Sequence, residues 1–105
     1  MSYTDVMYSV KQSARFKTWL NGLRDAMARV RIVARLAMAG EGNLGDCESV
    51  GDGVHEMRVH VGPGYRVYFV HREQRVIFLL HGGDKSTQSK DIKRAKAMAK
   101  EIDEE

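Results

Sequence analysis

Between Val54 and Leu80 three short extended runs follow one another with almost no chain between them, and this constrains the fold more than any other feature. Val54–Val61 alternates, with His55, Met57, Val59 and Val61 on one side and Val54, Glu56, Arg58 and His60 on the other. After the turn Gly62-Pro63-Gly64, Tyr65–Arg72 alternates again, with Tyr65, Val67, Phe69 and His71 opposing Arg66, Tyr68, Val70 and Arg72. A Glu73-Gln74 turn leads into Val76–Leu80, continuously apolar and therefore read as a strand buried on both faces. Connections this short permit only antiparallel pairing, because a parallel neighbour needs a crossover of about a dozen residues or more.

Helical periodicity flanks this meander. Tyr3, Val6, Tyr8 and Val10 predict a short first strand over 3–10. Ser13 then stands at an N-cap position ahead of Phe16, Trp19, Leu20 and Leu23, spaced as one helical face, and Asn21-Gly22 either breaks this helix or lies within it. A second helix is predicted from Asp25 to Ala39, ended by Gly40 and Gly42. Its methionines, Met27 and Met38, and its alanines suggest close helix–helix packing. The glycine- and acid-rich stretch 42–53 leaves room for a short strand at Cys47–Val50. His81–Gln88 reads as a loop, with a turn at Gly82-Gly83 and Ser86, Thr87 or Ser89 as helix cap. The last helix points Ile92, Ala95, Ala99 and Ile102 at the core. The order β-α-α-β-β-β-β-α, or the same with one strand fewer, predicts an α+β fold: an antiparallel sheet of four to five strands, two N-terminal helices and one C-terminal helix. The helices are expected on the Met57/Val59/Val67/Phe69 face, leaving Glu56, Arg58, His60, Arg66, Tyr68 and Arg72 on an open one.

Size and composition bound the function classes. A chain of 105 residues forms one domain, 1–105, with one modest core. The composition excludes disorder for all but the C-terminal tail. No apolar run approaches a membrane span, the N-terminal MSYTDVMYSVKQ lacks the marks of a secretory signal, and the lone Cys47 suits a reducing compartment, so a cytoplasmic location is expected. Net charge is only +3, but residues 11–36 carry seven bases against Asp25 alone, while 40–53 carry four acids and no base. A basic helical segment beside an acidic loop suits a polyanion or an acidic protein partner; a solvated helix face reads the same way.

Three constellations can carry chemistry. Antiparallel pairing brings Arg58 and Arg66 side by side with Glu56 and Tyr68 next to them, and neighbouring arginines require carboxylate partners or a bound anion. A phosphodiester would satisfy both, with Tyr68 stacking on a base; alternatively Glu56 pairs with an arginine and the face is merely wet. The HGGDKSTQ segment can seat a phosphate beside Lys85, but Asp84 and Leu79 stand where a P-loop needs glycine, which excludes that kind of nucleotide hydrolysis. Arg24, Arg31 and Arg35 share one helical stripe that can grip a nucleic-acid backbone or simply face water. His55, His60, His71 and His81 show no metal-ligand spacing and Cys47 has no companion, so no metal or other cofactor is expected.

GNLGD at 42–46, GDGVHEMRV at 51–59, GPGYRVYF at 62–69 and LLHGGDKSTQSKDIKRA at 79–95 resemble the addiction-module killer proteins, the HigB-like branch of the RelE/ParE toxin superfamily. FKTWLNGLRD at 16–25 is similar to that family's first helix. The resemblance implies a bacterial type II toxin, neutralised by a cognate antitoxin that is often a HigA-like helix-turn-helix protein, with heterotetramers frequent. RelE-like members cleave mRNA on the ribosome with the ribonucleotide's own 2′-OH as nucleophile and without a metal. Carried over by motif, Arg66 in G-Y-R-x-Y matches the main phosphate-binding arginine, and Arg58 in E-x-R the second basic position. Lys85 matches the group near the leaving oxygen; a free lysine's pKa of ~10.4 suits charge stabilisation better than proton donation unless burial lowers it. Glu56 is the candidate base, and Tyr68 and Gln88 are candidates for positioning RNA. The acidic C-terminus carries no histidine of the kind several RelE-type nucleases keep there. ParE-type members share the fold and inhibit DNA gyrase without nuclease chemistry, which is the alternative.

Overall fold

Ser13 and Asp25 start the two N-terminal helices by the same device. In α1 (Ala14–Gly22) the Ser13 hydroxyl accepts from the Phe16 amide at 2.9 Å, and in α2 (Ala26–Gly40) the Asp25 carboxylate accepts from the Ala28 amide at 3.1 Å. Ser13 also donates to the Leu80 carbonyl at 2.7 Å, which ties the cap to the sheet. The computed structural model describes residues 7–73 and 75–104. Around the helices lie β1 (Ser9–Gln12), β2 (Cys47–Gly51), β3 (Val54–Val59), β4 (Tyr65–Arg72) and β5 (Val76–Asp84), then a 3-10 turn at Lys85–Thr87 and α3 (Gln88–Glu104). This is the expected α+β order with the fifth strand present.

The five strands form one sheet in the order β1-β5-β4-β3-β2. The meander is antiparallel as its short turns require, but β1 pairs with β5 in parallel, so the sheet is mixed. Two helices and three strands separate β1 from β5 in the chain, so no tight turn dictates their direction. The strand expected over 3–10 is displaced to Ser9–Gln12, and residues 1–6 lie outside the described part.

Both faces of the sheet are covered, which corrects the expectation of an open one. Phe16, Leu20, Ala28, Ile32 and Leu36 of the N-terminal helices pack on Met57, Val59, Val67, Phe69, Ile77 and Leu79. On the other face α3 lays Ala95 and Ala99 over Val54, Tyr68, Val70 and Leu80. Val54, Tyr68 and Val70 share this face with Glu56, Arg58 and Arg66, so it is apolar towards one end and charged towards the other. The helix covers the apolar end. Met27 and Met38 do not mediate helix packing: α2 presses its Ala28, Ile32, Leu36 and Ala39 stripe on the sheet, leaving Met27 64% exposed.

Gly82 and Gly83 lie inside β5 and make no turn. At Gly82 an added Cβ would stand 2.2 Å from the Trp19 ring of α1, and at Gly83 1.8 Å from the Asp91 carboxylate of α3. The two positions therefore let helices approach the strand from opposite faces. Asp91, which binds His81 Nε2 at 2.9 Å and accepts from Thr87 Oγ1 at 2.5 Å, locks α3 in that place. Gly82→Ala is expected to cost about 3 kcal/mol through overpacking, seen as a lowered urea midpoint. Gly22→Ala, with nothing within 4 Å of the new methyl, is expected to be neutral or slightly stabilising in the same assay.

His71 adds a pH term. Its ring meets Tyr8 at 5.8 Å, His55 at 5.6 Å and Phe69 at 5.7 Å. Burial, and secondly the neighbouring His55, push its pKa below the ordinary value. Because the unfolded chain then binds the proton more readily, stability is full above pH ~6.5 and declines as pH falls towards the lowered folded value. The urea midpoint is expected to drop between pH 7.5 and 5, and less so in His71→Phe.

Candidate functional site

Strand register builds the site. Arg58 on β3 stands directly opposite Arg66 on β4, and Arg66 directly opposite Gly83 on β5. Beside this row β5 carries one extra residue, so Phe69 pairs with Leu79 while Tyr68 pairs with His81. The bulge at Leu80 keeps Gly82 under α1 and Gly83 under α3.

Glu56 is the hub beneath the arginines. It is 1% exposed, and its carboxylate accepts from Gln88 Nε2 at 2.8 Å, Tyr68 Oη at 3.1 Å and Arg58 Nε at 3.2 Å. Arg66 Nε lies 3.6 Å away. Tyr68 is fully buried and cannot stack on a base, which removes the RNA contact expected of it. Burial, and then the Glu56 carboxylate, raise the Tyr68 pKa well above the ordinary phenol value, so the hydroxyl remains a donor. Gln88 opens α3, and its side chain reaches inward to Glu56.

The two arginines differ in what they have left to offer. Arg58 is ringed by Glu48, Glu56 and, at 3.8 Å, Asp46. Three carboxylates already neutralise it. Arg66 donates through Nη1 to the Gly64 carbonyl at 2.8 Å, while its buried Nε has no hydrogen-bond partner. That leaves Arg66, 13% exposed, with charge and donors to give. Gly64, at φ +82°, brings it to Lys85: a Cβ there would sit 3.2 Å from Arg66 Nη1 and 3.7 Å from Lys85 Cβ. A cleft of about 440 Å³ opens here, lined by His60, the turn Val61–Gly64, Arg66 and Lys85.

The helical arginines are not part of it. Arg35 donates to the Leu44 carbonyl at 3.0 Å and to the Arg58 carbonyl, tying α2 to the β2–β3 side of the sheet. Arg31 is exposed on α2, and Arg24 is exposed before its cap, so the three do not form one helical stripe. At the 3-10 turn before α3, the Asp84 carboxylate accepts from the Ser86 amide at 2.8 Å, where the sequence suggested an anion.

His60 is the residue the sequence left without a role. Its Nε2 lies 2.6 Å from Asp46 Oδ2, and the ring is 72% exposed at the cleft. The His60 hydrogen bond, helped by the Arg58 charge, holds the Asp46 carboxyl below its usual range against the opposing effect of burial. Fourteen residues separate the two. Only the β2–β3 hairpin, continued by the Arg58 amide donating to the Asp46 carbonyl at 2.9 Å, brings them together. Among the described residues no group of three or more His, Cys, Asp or Glu could hold a metal ion, and no helix is long and apolar enough to cross a membrane.

A solved structure shares this fold, and sequence comparison gives the family. A Haemophilus influenzae protein, described as "Uncharacterized protein", is 45% identical over 93 residues, covering 89% of this chain and 94% of its own. The structure of a mutant Escherichia coli toxin RelE in the free state superposes with a TM-score of 0.62, covering 84% of this chain and 97% of that one. At 17% identity that likeness concerns the fold alone. Residues 18–103 match the family described as Phage derived protein Gp49-like, and the chain belongs to that family.

Proposed function

We propose that this protein is the toxin of a bacterial toxin–antitoxin pair and acts as an endoribonuclease on translated mRNA. The observation that carries the reading is Arg66: a part-buried guanidinium whose Nε faces Glu56 at 3.6 Å, set beside the exposed Lys85 in an open polar cleft. A phosphodiester fits this arrangement, since Arg66 can offer a planar pair of donors to the non-bridging oxygens and Lys85 a point charge where negative charge builds up. The nucleophile is the RNA's own 2′-hydroxyl, so the protein's work is orientation and charge stabilisation. Glu56, whose oxygens already accept from three protein donors, acts in this reading as the clamp that aims Arg66 and not as a base. Arg58 holds Glu56 in turn. The likeness in fold to a solved toxin supports the reading.

In this reading the protein works in the cytoplasm, on ribosome-bound mRNA, with a HigA-like helix-turn-helix antitoxin as partner and a heterotetramer as the inhibited form. Expression without antitoxin, followed by primer extension on abundant transcripts, tests it. New 5′ ends inside translated regions, absent with Arg66→Ala, are expected.

A second reading has its own observation. Val30 and Val33, 62% and 52% exposed, line a groove of about 400 Å³ between α1 and α2, next to the exposed Met27. Such a surface suits a protein target, as in gyrase inhibition. Growth arrest with intact transcripts and gyrase-dependent DNA breaks would favour it.

A further inference from the structure

We propose that His60, held by Asp46, is the general acid of the Arg66/Lys85 cleft, protonating the 5′-oxygen as it leaves the phosphorus. The inference rests on the nuclease reading and adds to it the group that moves the proton. Three ionisable side chains line the cleft: His60, Arg66 and Lys85. Arginine does not give up its proton in water, and an alkylammonium is in general too weak an acid to be matched to neutral pH. Histidine alone among them changes charge near neutrality.

The geometry is that of an oriented imidazole. Asp46 Oδ2 lies 2.6 Å from Nε2, so the Nε2–H donates to the carboxylate and the ring is held in one direction. Nδ1 is then the nitrogen available to a ligand, on a ring 72% exposed. The charges facing His60 are Asp46 from the loop before β2, Arg58 from β3, with Nη1 3.8 Å from Asp46 Oδ1, and Arg66 and Lys85 at the same cleft. The Asp46 carboxylate is the charge in direct contact with the ring, and Arg58 is itself paired with Asp46, Glu48 and Glu56.

The step balances without a co-reactant. The 2′-oxygen attacks phosphorus while its proton passes to solvent water. The bond from phosphorus to the 5′-oxygen breaks, and the proton on His60 Nδ1 goes to that oxygen. The products are a 2′,3′-cyclic phosphate and a 5′-hydroxyl, and the neutral imidazole regains its proton from solvent.

The test uses the full chain in a reconstituted translation system on a defined mRNA, with His60→Gln and Asp46→Asn alongside wild type. His60→Gln is expected to cut about 10²-fold more slowly with KM unchanged and the thermal midpoint preserved, the side chain being exposed. The wild-type rate should fall at high pH with a limb near neutrality. That limb should vanish in His60→Gln, and Asp46→Asn, which loosens the hold on the ring, should lower the rate with KM unchanged. An mRNA with sulfur in place of the scissile 5′-oxygen needs no proton on its leaving group and should restore His60→Gln to near the wild-type rate. Cleavage by His60→Gln within threefold of wild type, or no rescue by the sulfur substrate, overturns the proposal while leaving the nuclease reading intact. If the wild-type protein cuts no RNA, the nuclease reading fails and this proposal falls with it.

Discussion

Arg66→Ala is expected to lower the rate of RNA cleavage by about two to three orders of magnitude, the range seen when a preorganised donor to developing negative charge is removed. Toxicity on induction should be lost accordingly. The fold should survive, because Glu56 keeps Tyr68, Gln88 and Arg58 as donors when Arg66 is shortened. A stability change of about 1 kcal/mol is the expected scale for losing the Gly64 contact and some packing. Arg66→Lys should recover only part of the activity, since a single ammonium cannot reproduce two parallel donors. Undiminished toxicity in a soluble, folded Arg66→Ala protein would remove the cleft from the mechanism and transfer the weight to the α1–α2 groove.

Glu56→Ala is expected to have the largest effect on stability. Three donors converge on this carboxylate, and Arg66 Nε is close by. Without it, a largely buried guanidinium loses its counter-charge and Tyr68 and Gln88 lose their acceptor. Breaking a buried pair from one side typically costs ~3 to 5 kcal/mol, and the lower end applies because Arg58 keeps Glu48 and Asp46. For a domain of this size that corresponds to a melting temperature lower by more than about 10 °C. The double variant Glu56→Ala/Arg66→Ala should be less destabilised than the two single losses added together, since the orphaned charge is gone. Additive losses in thermal melts would mean that Glu56 does not hold Arg66 electrostatically.

Much of the fold was legible because its signals are local. Ser13 and Asp25 cap the helices they precede, and the i, i+4 stripe through Ala28, Ile32 and Leu36 faces the sheet. The Gly62-Pro63-Gly64 turn set β3 against β4 in the register that pairs Arg58 with Arg66. The errors arose where a pattern has two physical readings. Glycines mark turns, but Gly82 and Gly83 also permit close approach, and a helix over each face of β5 makes the second reading the true one. Arg35 fits a basic stripe by spacing, yet its length and forked donors suit the carbonyls of Leu44 and Arg58 equally well.

The amino-acid sequence by itself determined most of the elements, their order, the antiparallel meander and the pairing of Arg58 with Arg66, because period, caps and turn length act over a few residues; that β5 runs on to Asp84 and brings Arg66 near Lys85 it did not. Tertiary structure alone decided that α3 closes the second face, that β1 joins the sheet edge in parallel, that Tyr68 is sealed beneath Arg66, and that Asp46 meets His60. Alternation along a strand says which residues share a face but not what will cover it. That choice depends on contacts between segments far apart in the chain, where burial of one apolar patch against another outweighs any local preference.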